Sequence, residues 1–388
     1  MNVKKSKKLG IKGNTLSLIT SALLISSSLA FGADTIDAAF KDGKVAGSVI
    51  GYSAVNENAD TLSTGNIGLS YETGSFKGLS GKVGFFGTHI FEEDANSSFE
   101  KNAIMSEANL TYTLDNFGSL TVGRQAVSLE WMGDYQEAAL ATITAIPDTT
   151  IVLAFSDKKG VAAKDEITDF YDINGSNGAY VADVKYTGLK GFEFNPYFYS
   201  APDLANFYGL KTTYSADMFG AVAHYAASSE DVGSDGSVGH IELNTVISGV
   251  SAAVGYIKTD KDAGVASISK FGDSLSPLDS GNFVFSTDAK TAYGKLGYTI
   301  ANVDLGAVYG QTSYSADDYK EKELNLTAGY SITDSLSTSL LYGNISADSN
   351  DSTTADNNFN NCRVYILIKR NLGVLLLNYK LIKFIRFI

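Results

Sequence analysis

One cysteine in 388 residues, Cys362, rules out an internal disulfide, so stability must come from something other than a covalent cross-link. Proline is scarce at four residues while glycine reaches 38, the balance of a chain that turns often yet keeps its backbone donors for pairing. Histidine occurs three times, and His89, His224 and His240 stand in no Ser-His-Asp context. No paired-carboxylate motif and no Cys/His metal spacing can be placed either, so the expectation is a chain with no catalytic residues and no metal ligands. No run of 18 apolar residues lies between 33 and 360, which excludes a helical span there. A closed β-barrel is the remaining way to cross a bilayer.

Acidic residues outnumber basic ones, 43 to 30, and the imbalance is larger than it looks. Setting aside five lysines before residue 13 and six basic residues after Cys362 leaves 19 basic against all 43 acidic side chains, about −24. Such a body repels nucleic acid and, lining a channel, favours cations at its mouth. The five lysines, Lys4, Lys5, Lys7, Lys8 and Lys12, precede an apolar and small-residue stretch, Leu16 to Leu29, that ends in Ala30-Phe31-Gly32-Ala33. This reads as a secretory signal peptide over residues 1–32, too short and too rich in Ser and Thr for a membrane span.

From residue 43 to 368, segments of about ten residues alternate apolar and polar side chains, and eighteen can be placed. Ile67, Leu69 and Tyr71 oppose Asn66, Gly68 and Ser70; Leu324, Leu326 and Ala328 oppose Glu323, Asn325 and Thr327. A soluble sandwich would alternate in the same way, so the connections must decide. They fall into two classes that take turns along the chain. Asp115 to Gly118, Ile146 to Asp148, Gly188 to Gly191 and Ile332 to Ser335 are short. Phe91 to Asn102, Asp157 to Ser176, Ser228 to Ser237, Lys258 to Asp288 and Ala347 to Asn357 are long and acidic. Short periplasmic turns alternating with long extracellular loops is the layout of outer-membrane barrels, so the expected fold is all-β: a transmembrane antiparallel barrel of about 18 strands, with 16 as the alternative, over residues 33–366.

Strands entering the short turns share a tail, and Tyr71, Tyr112, Tyr186, Tyr214, Tyr298 and Tyr330 all land beside a turn. A phenol ring can sit in the acyl boundary with its hydroxyl among headgroups, so these six are expected to form an aromatic girdle.

One stretch is more specific. Asp115-Asn-Phe-Gly-Ser-Leu-Thr-Val-Gly-Arg124-Gln125 resembles the Phe-Gly-x-Leu-x-x-Gly-Arg-Gln hairpin of Gram-negative porins. The segment Asp34 to Ser48 looks like the start of the OprD-like and major outer-membrane porins of the ε-proteobacterial group. The resemblance implies an 18-stranded porin, often a homotrimer, that passes small hydrophilic solutes and ions by diffusion. Its partners would be outer-membrane lipid and lipopolysaccharide, the barrel-assembly machinery and the solutes, with no nucleic acid. A substrate-selective channel and a non-conducting surface adhesin or antigen are the rival functions.

By the same resemblance Arg124, the sole arginine before Cys362, projects into the lumen at a charged constriction. It shares a face with Leu120 and Val122, so a bulge at Gly123 is needed to turn it inward; the alternative is a rim arginine paired with an acidic neighbour. Lys82, Glu107, Asp183, Lys185, Glu193, Lys211, Glu242, Lys295, Asp304 and Glu323 fall on the polar face of their strands and are the other expected pore-lining residues. The segment Lys258 to Asp288 is too apolar for a freely waving loop and is expected to fold into the barrel and narrow it. No cofactor is expected beyond Ca²⁺ held by loop carboxylates such as Asp348, Asp351 or those from Asp157 to Asp172, which lack the ordered spacing of a calcium loop.

After Ile366 the alternation collapses into Leu367 to Ile388, basic and apolar without one acid. This reads as an aberrant tail, either the product of a frameshift or an amphipathic segment on a membrane surface. It puts the eighteenth strand, and closure of the barrel against the first, in doubt.

Overall fold

The computed structural model describes residues 32–56, 59–93, 99–271, 275–314, 319–348 and 359–372. Residues 1–31 of the expected signal peptide, residues 373–388 of the tail and the Ca²⁺ candidate Asp351 lie outside these residues, while of Asp348 only the backbone is described. The strands, in chain order, are β1 Lys44–Asn56, β2 Ala59–Glu72, β3 Leu79–Glu93, β4 Ala103–Leu114, β5 Gly118–Ala126, β6 Tyr135–Ile143, β7 Thr149–Ala162, β8 Ile167–Asp172, β9 Ala179–Tyr186 and β10 Phe192–Ala201. They continue with β11 Ala205–Ser215, β12 Phe219–Glu230, β13 Ser237–Ile247, β14 Val250–Thr259, β15 Lys290–Ile300, β16 Val303–Tyr314, β17 Tyr319–Thr333, β18 Leu336–Asp348 and β19 Phe359–Leu372.

Every neighbouring pair is antiparallel, β7 pairs directly with β9, and β1 pairs with β19 as well as with β2. The wall is therefore a closed barrel of 18 strands, and β8 is an extra strand hairpinned onto β7 within a loop. The segment expected as loop from Asp157 thus remains strand through Ala162 and turns back on itself.

Closure corrects the doubt raised by the sequence. β19 holds register with β1 from Val45↔Leu372 to Asn56↔Asn361, six residues past the expected end of the barrel at 366. Alternation also persists: Val364, Ile366 and Ile368 are exposed on the outer face while Arg363 and Tyr365 are buried inside. The pattern fades in the sequence because the next inward position, Leu367, is apolar. Two paired neighbours still hold the backbone extended, since an unpaired edge would leave its amides and carbonyls unsatisfied in lipid.

The alternation of short and long connections is an alternation of ends. One end carries only turns of two to six residues; Ser248 and Gly249, with φ of 52° and 82°, close β13 onto β14 in two residues, the left-handed pair that matches strand twist. The other end carries the long connections, up to thirty residues at 260–289. A helix not expected from the sequence, α1 Ile36–Lys41, is capped by the Thr35 hydroxyl, which accepts from the Ala38 amide at 3.1 Å. It packs at the turn end, where Tyr71 donates to the Phe40 carbonyl at 2.5 Å.

Candidate functional site: the lumen

The period of two sorts each strand into an outer and an inner face. On β11, Tyr208 and Leu210 are exposed outward while Phe207 is buried and Lys211 points inward beside it. Of the six expected girdle tyrosines, Tyr112, Tyr186, Tyr298 and Tyr330 are exposed outward next to the short turns. Tyr71 is half covered by Phe40, and Tyr214 by Phe192 and Phe219 with ring centroids 4.7 and 5.8 Å away. A second outward level, absent from the sequence reading, stands higher on the wall in Tyr180, Phe198, Tyr208, Tyr225, Tyr256 and Tyr309. Tyr180 and Tyr186, both on β9, show the interval of six residues between the two levels.

Inside, charged residues meet in pairs. Lys82 bonds Glu107 at 2.9 Å. Lys211 reaches both oxygens of Glu130 at 3.0 Å, and Lys295 donates to Glu242 at 2.8 Å. Asp183 accepts from Asn195 at 2.8 Å and from the Tyr199 hydroxyl at 3.2 Å. Glu323 accepts the amides of Ser280 and Gly281 at 2.8 and 2.9 Å. Lys185, Glu193 and Asp304 lie nearer the short turns, with Lys185 and Asp304 exposed and Glu193 half-buried; Asp304 accepts from Thr299 at 2.6 Å.

Arg124 is not brought into this set. Its register runs unbroken against Ala108 on one side and Glu137 on the other, so the bulge expected at Gly123 is not in the ladder, although Gly123 itself takes a φ of 114°. Arg124 stays on the face of Leu120 and Val122, its Nε 3.1 Å from Glu137 and its guanidinium 4.2 Å from the centre of the Phe170 ring. These are the contacts of a rim arginine with an acidic neighbour.

Three loops enter the barrel mouth. Residues 127–134 insert Trp131, only 1% exposed, whose indole donates to the Tyr197 hydroxyl at 2.8 Å; that hydroxyl meets His224 Nε2 at 2.7 Å. On the neighbouring strand His240 Nε2 meets the Tyr293 hydroxyl at 2.7 Å, which donates to Glu242 at 2.7 Å. The described residues of 260–289 do fold inward: Ile268, Leu278 and Val284 are buried in one cluster with Trp131, Tyr199 and Phe207. Residues 163–178 carry Lys164 across to the strands flanking closure, where the Thr64 hydroxyl donates to its carbonyl at 2.8 Å.

Glu130, Trp131 and the two Tyr–His pairs were missed by the sequence reading. The lone tryptophan, placed in a connection instead of a strand, was the available signal. Among the described residues no three His, Cys, Asp or Glu side chains gather to hold a metal ion, and Asp169 and Asp172 are taken by Lys101 and Lys158.

Solved structures share this architecture. The chain superposes on Pseudomonas aeruginosa OccK3 (OpdO) with a TM-score of 0.70 at 14% identity, over 87% of this chain and 98% of that one. Against Acinetobacter baumannii OccAB2 the TM-score is 0.71 at 13% identity, covering 86% and 99%. Against P. aeruginosa OpdK, solved with vanillate, it is 0.70 at 12%, covering 86% and 100%. At these identities the likeness is one of fold. No curated protein sequence matches the chain. The family model described as "Putative outer membrane protein" matches residues 19–219, slightly more than half of the chain, and the chain belongs to that outer-membrane family.

Proposed function

We propose that this chain is a passive diffusion channel for small hydrophilic solutes and ions, with a preference for cations. The observation that carries the reading is the inner face: ion pairs such as Lys82–Glu107 and Lys295–Glu242 line a barrel whose outer face is apolar, which suits a water-filled path and nothing else that a membrane wall needs. The cation preference rests on the acidic excess of the chain, because most inner lysines are already matched by a carboxylate. Lys82, Glu107, Asp183, Lys185, Glu193, Lys211, Glu242, Lys295, Asp304 and Glu323 are the proposed lining, and the turn-level tyrosines the proposed girdle. Planar-bilayer recording on the refolded chain tests the proposal. Discrete conductance steps with a reversal potential on the cation side are expected; a silent bilayer would refute it.

A substrate-selective channel is the second reading, favoured by the three loops in the mouth. OpdK has been solved with vanillate, and a comparable small solute here would show saturable uptake into liposomes, whereas simple diffusion would stay linear with concentration. The same proposal includes removal of residues 1–32 on export, read by N-terminal sequencing, and a homotrimer, read by cross-linking in the membrane.

A further inference from the structure

Two of the inward loops converge on one strip of wall. Loop 260–289 leaves the rim between β14 and β15, touches β11 through Phe271 and Phe207 with ring centroids 4.9 Å apart, and reaches β17 and β19 at its other end. There Asp279 meets Arg363 at 2.9 Å, the two side chains only 4% and 2% exposed. The Asp279 amide donates to Asn325 at 3.2 Å, the next two amides go to Glu323, and Asn282 donates to Glu321 at 3.0 Å. Loop 163–178 arrives from the β7 side: the Lys164 ammonium lies 4.9 and 5.0 Å from the ring centres of Tyr52 and Tyr365. Tyr52, Arg363 and Tyr365 are inner residues of β1 and β19, the strands that close the barrel.

The described residues of both loops therefore touch parts of the wall that lie well apart around the barrel, and how far the loops narrow the lumen depends on where their ends are tied. Apolar burial of Leu278 and Val284 draws loop 260–289 against the wall but does not fix its register, because burial is non-directional. A buried ion pair does fix it. Such a pair adds little net stability when intact, yet removing one partner leaves a charge stranded out of water, so the loop end is either docked or away.

We infer that the Asp279–Arg363 pair is a latch that sets the width of the channel by holding loop 260–289 across the lumen. The inference rests on the channel reading for its consequence and on geometry alone for the latch. Arg363 acts through the loop, as a positioning residue, and it had no role in the sequence reading because it lies on the strand whose pattern was fading.

The test uses the full chain in two measurements. In planar bilayers Asp279→Asn is expected to raise single-channel conductance roughly twofold and to add open-channel noise. In parallel, a thiol placed by Leu278→Cys in a Cys362→Ser background is expected to label slowly with a maleimide, and about tenfold faster once Asp279→Asn is added. Arg363→Gln should behave alike, but it sits in the closing strand, so the loop-side variant carries the test if that barrel fails to fold. Combining Asp279→Arg with Arg363→Asp should restore both readouts toward wild type, a rescue that a merely structural role for either side chain would not produce. Unchanged labelling and unchanged conductance in Asp279→Asn would overturn the latch. A silent wild-type bilayer with faster labelling in Asp279→Asn would keep the latch and remove the channel reading.

Discussion

The two ends of this barrel are built by different rules. At the turn end each connection is two to six residues long and is dictated by its own backbone: Asn116, Asp148, Ser248 and Gly249 take left-handed conformations that fold the strand straight back. At the loop end the connections are held by partners far away in sequence, as Trp131 is by Tyr197, 66 residues on, and Asp279 by Arg363, 84 residues on. The turn end is a set of local solutions, and damage to one should stay local. In the mouth, loops 127–134 and 260–289 share one buried cluster, so damage to one should spread to the other.

Trp131→Ala is the strongest test of that contrast. It removes a fully buried ring and leaves the Tyr197 hydroxyl without its indole donor, and a loss of about 3–5 kcal/mol is expected. The readout is the temperature at which the folded band converts on unboiled gels. Protease nicking should rise in residues 260–289 as well as in 127–134; nicking confined to the mutated loop would break the idea that the two loops stand as one packed unit.

Glu323→Ala strands the amides of Ser280 and Gly281, at a cost of roughly 1–3 kcal/mol. Faster amide exchange at 279–282, with the turns of the other end unchanged, is the expected pattern. Gly249→Ala places a Cβ at a φ of 82° and should cost about 1–2 kcal/mol. Its mark should be limited to the β13–β14 hairpin, and altered conductance would contradict a purely local turn. The smallest effect is expected from Arg124→Gln, which breaks a half-exposed ion pair worth under about 1 kcal/mol. Reversal potential and conductance should hold; a clear shift in selectivity would return Arg124 to the lumen.

How much of this was legible along the chain differs by element. Six tyrosines beside short turns could be read directly, because each belongs to a repeated strand tail whose neighbours are local. The inward fold of 260–289 could be anticipated from Phe271, Leu275, Leu278 and Val284, since so much apolar surface in a loop must be covered by something. Arg124 misled: its surrounding motif suggested a lumen position, but the unbroken register left its parity unchanged. The end of β19 misled in the opposite direction, because a strand was judged by the polarity of its residues while its pairing depends on two neighbours.

The sequence alone determined the period of two, the apolar outer face, the turn positions and the acidic excess, because each is a property of adjacent residues or of simple sums. Only the tertiary structure decided that β1 and β19 meet, that Lys211 faces Glu130 and that Asp279 finds Arg363. Those partners are distant along the chain, and which inner residues share a level is set by strand register and by where the loops come to rest.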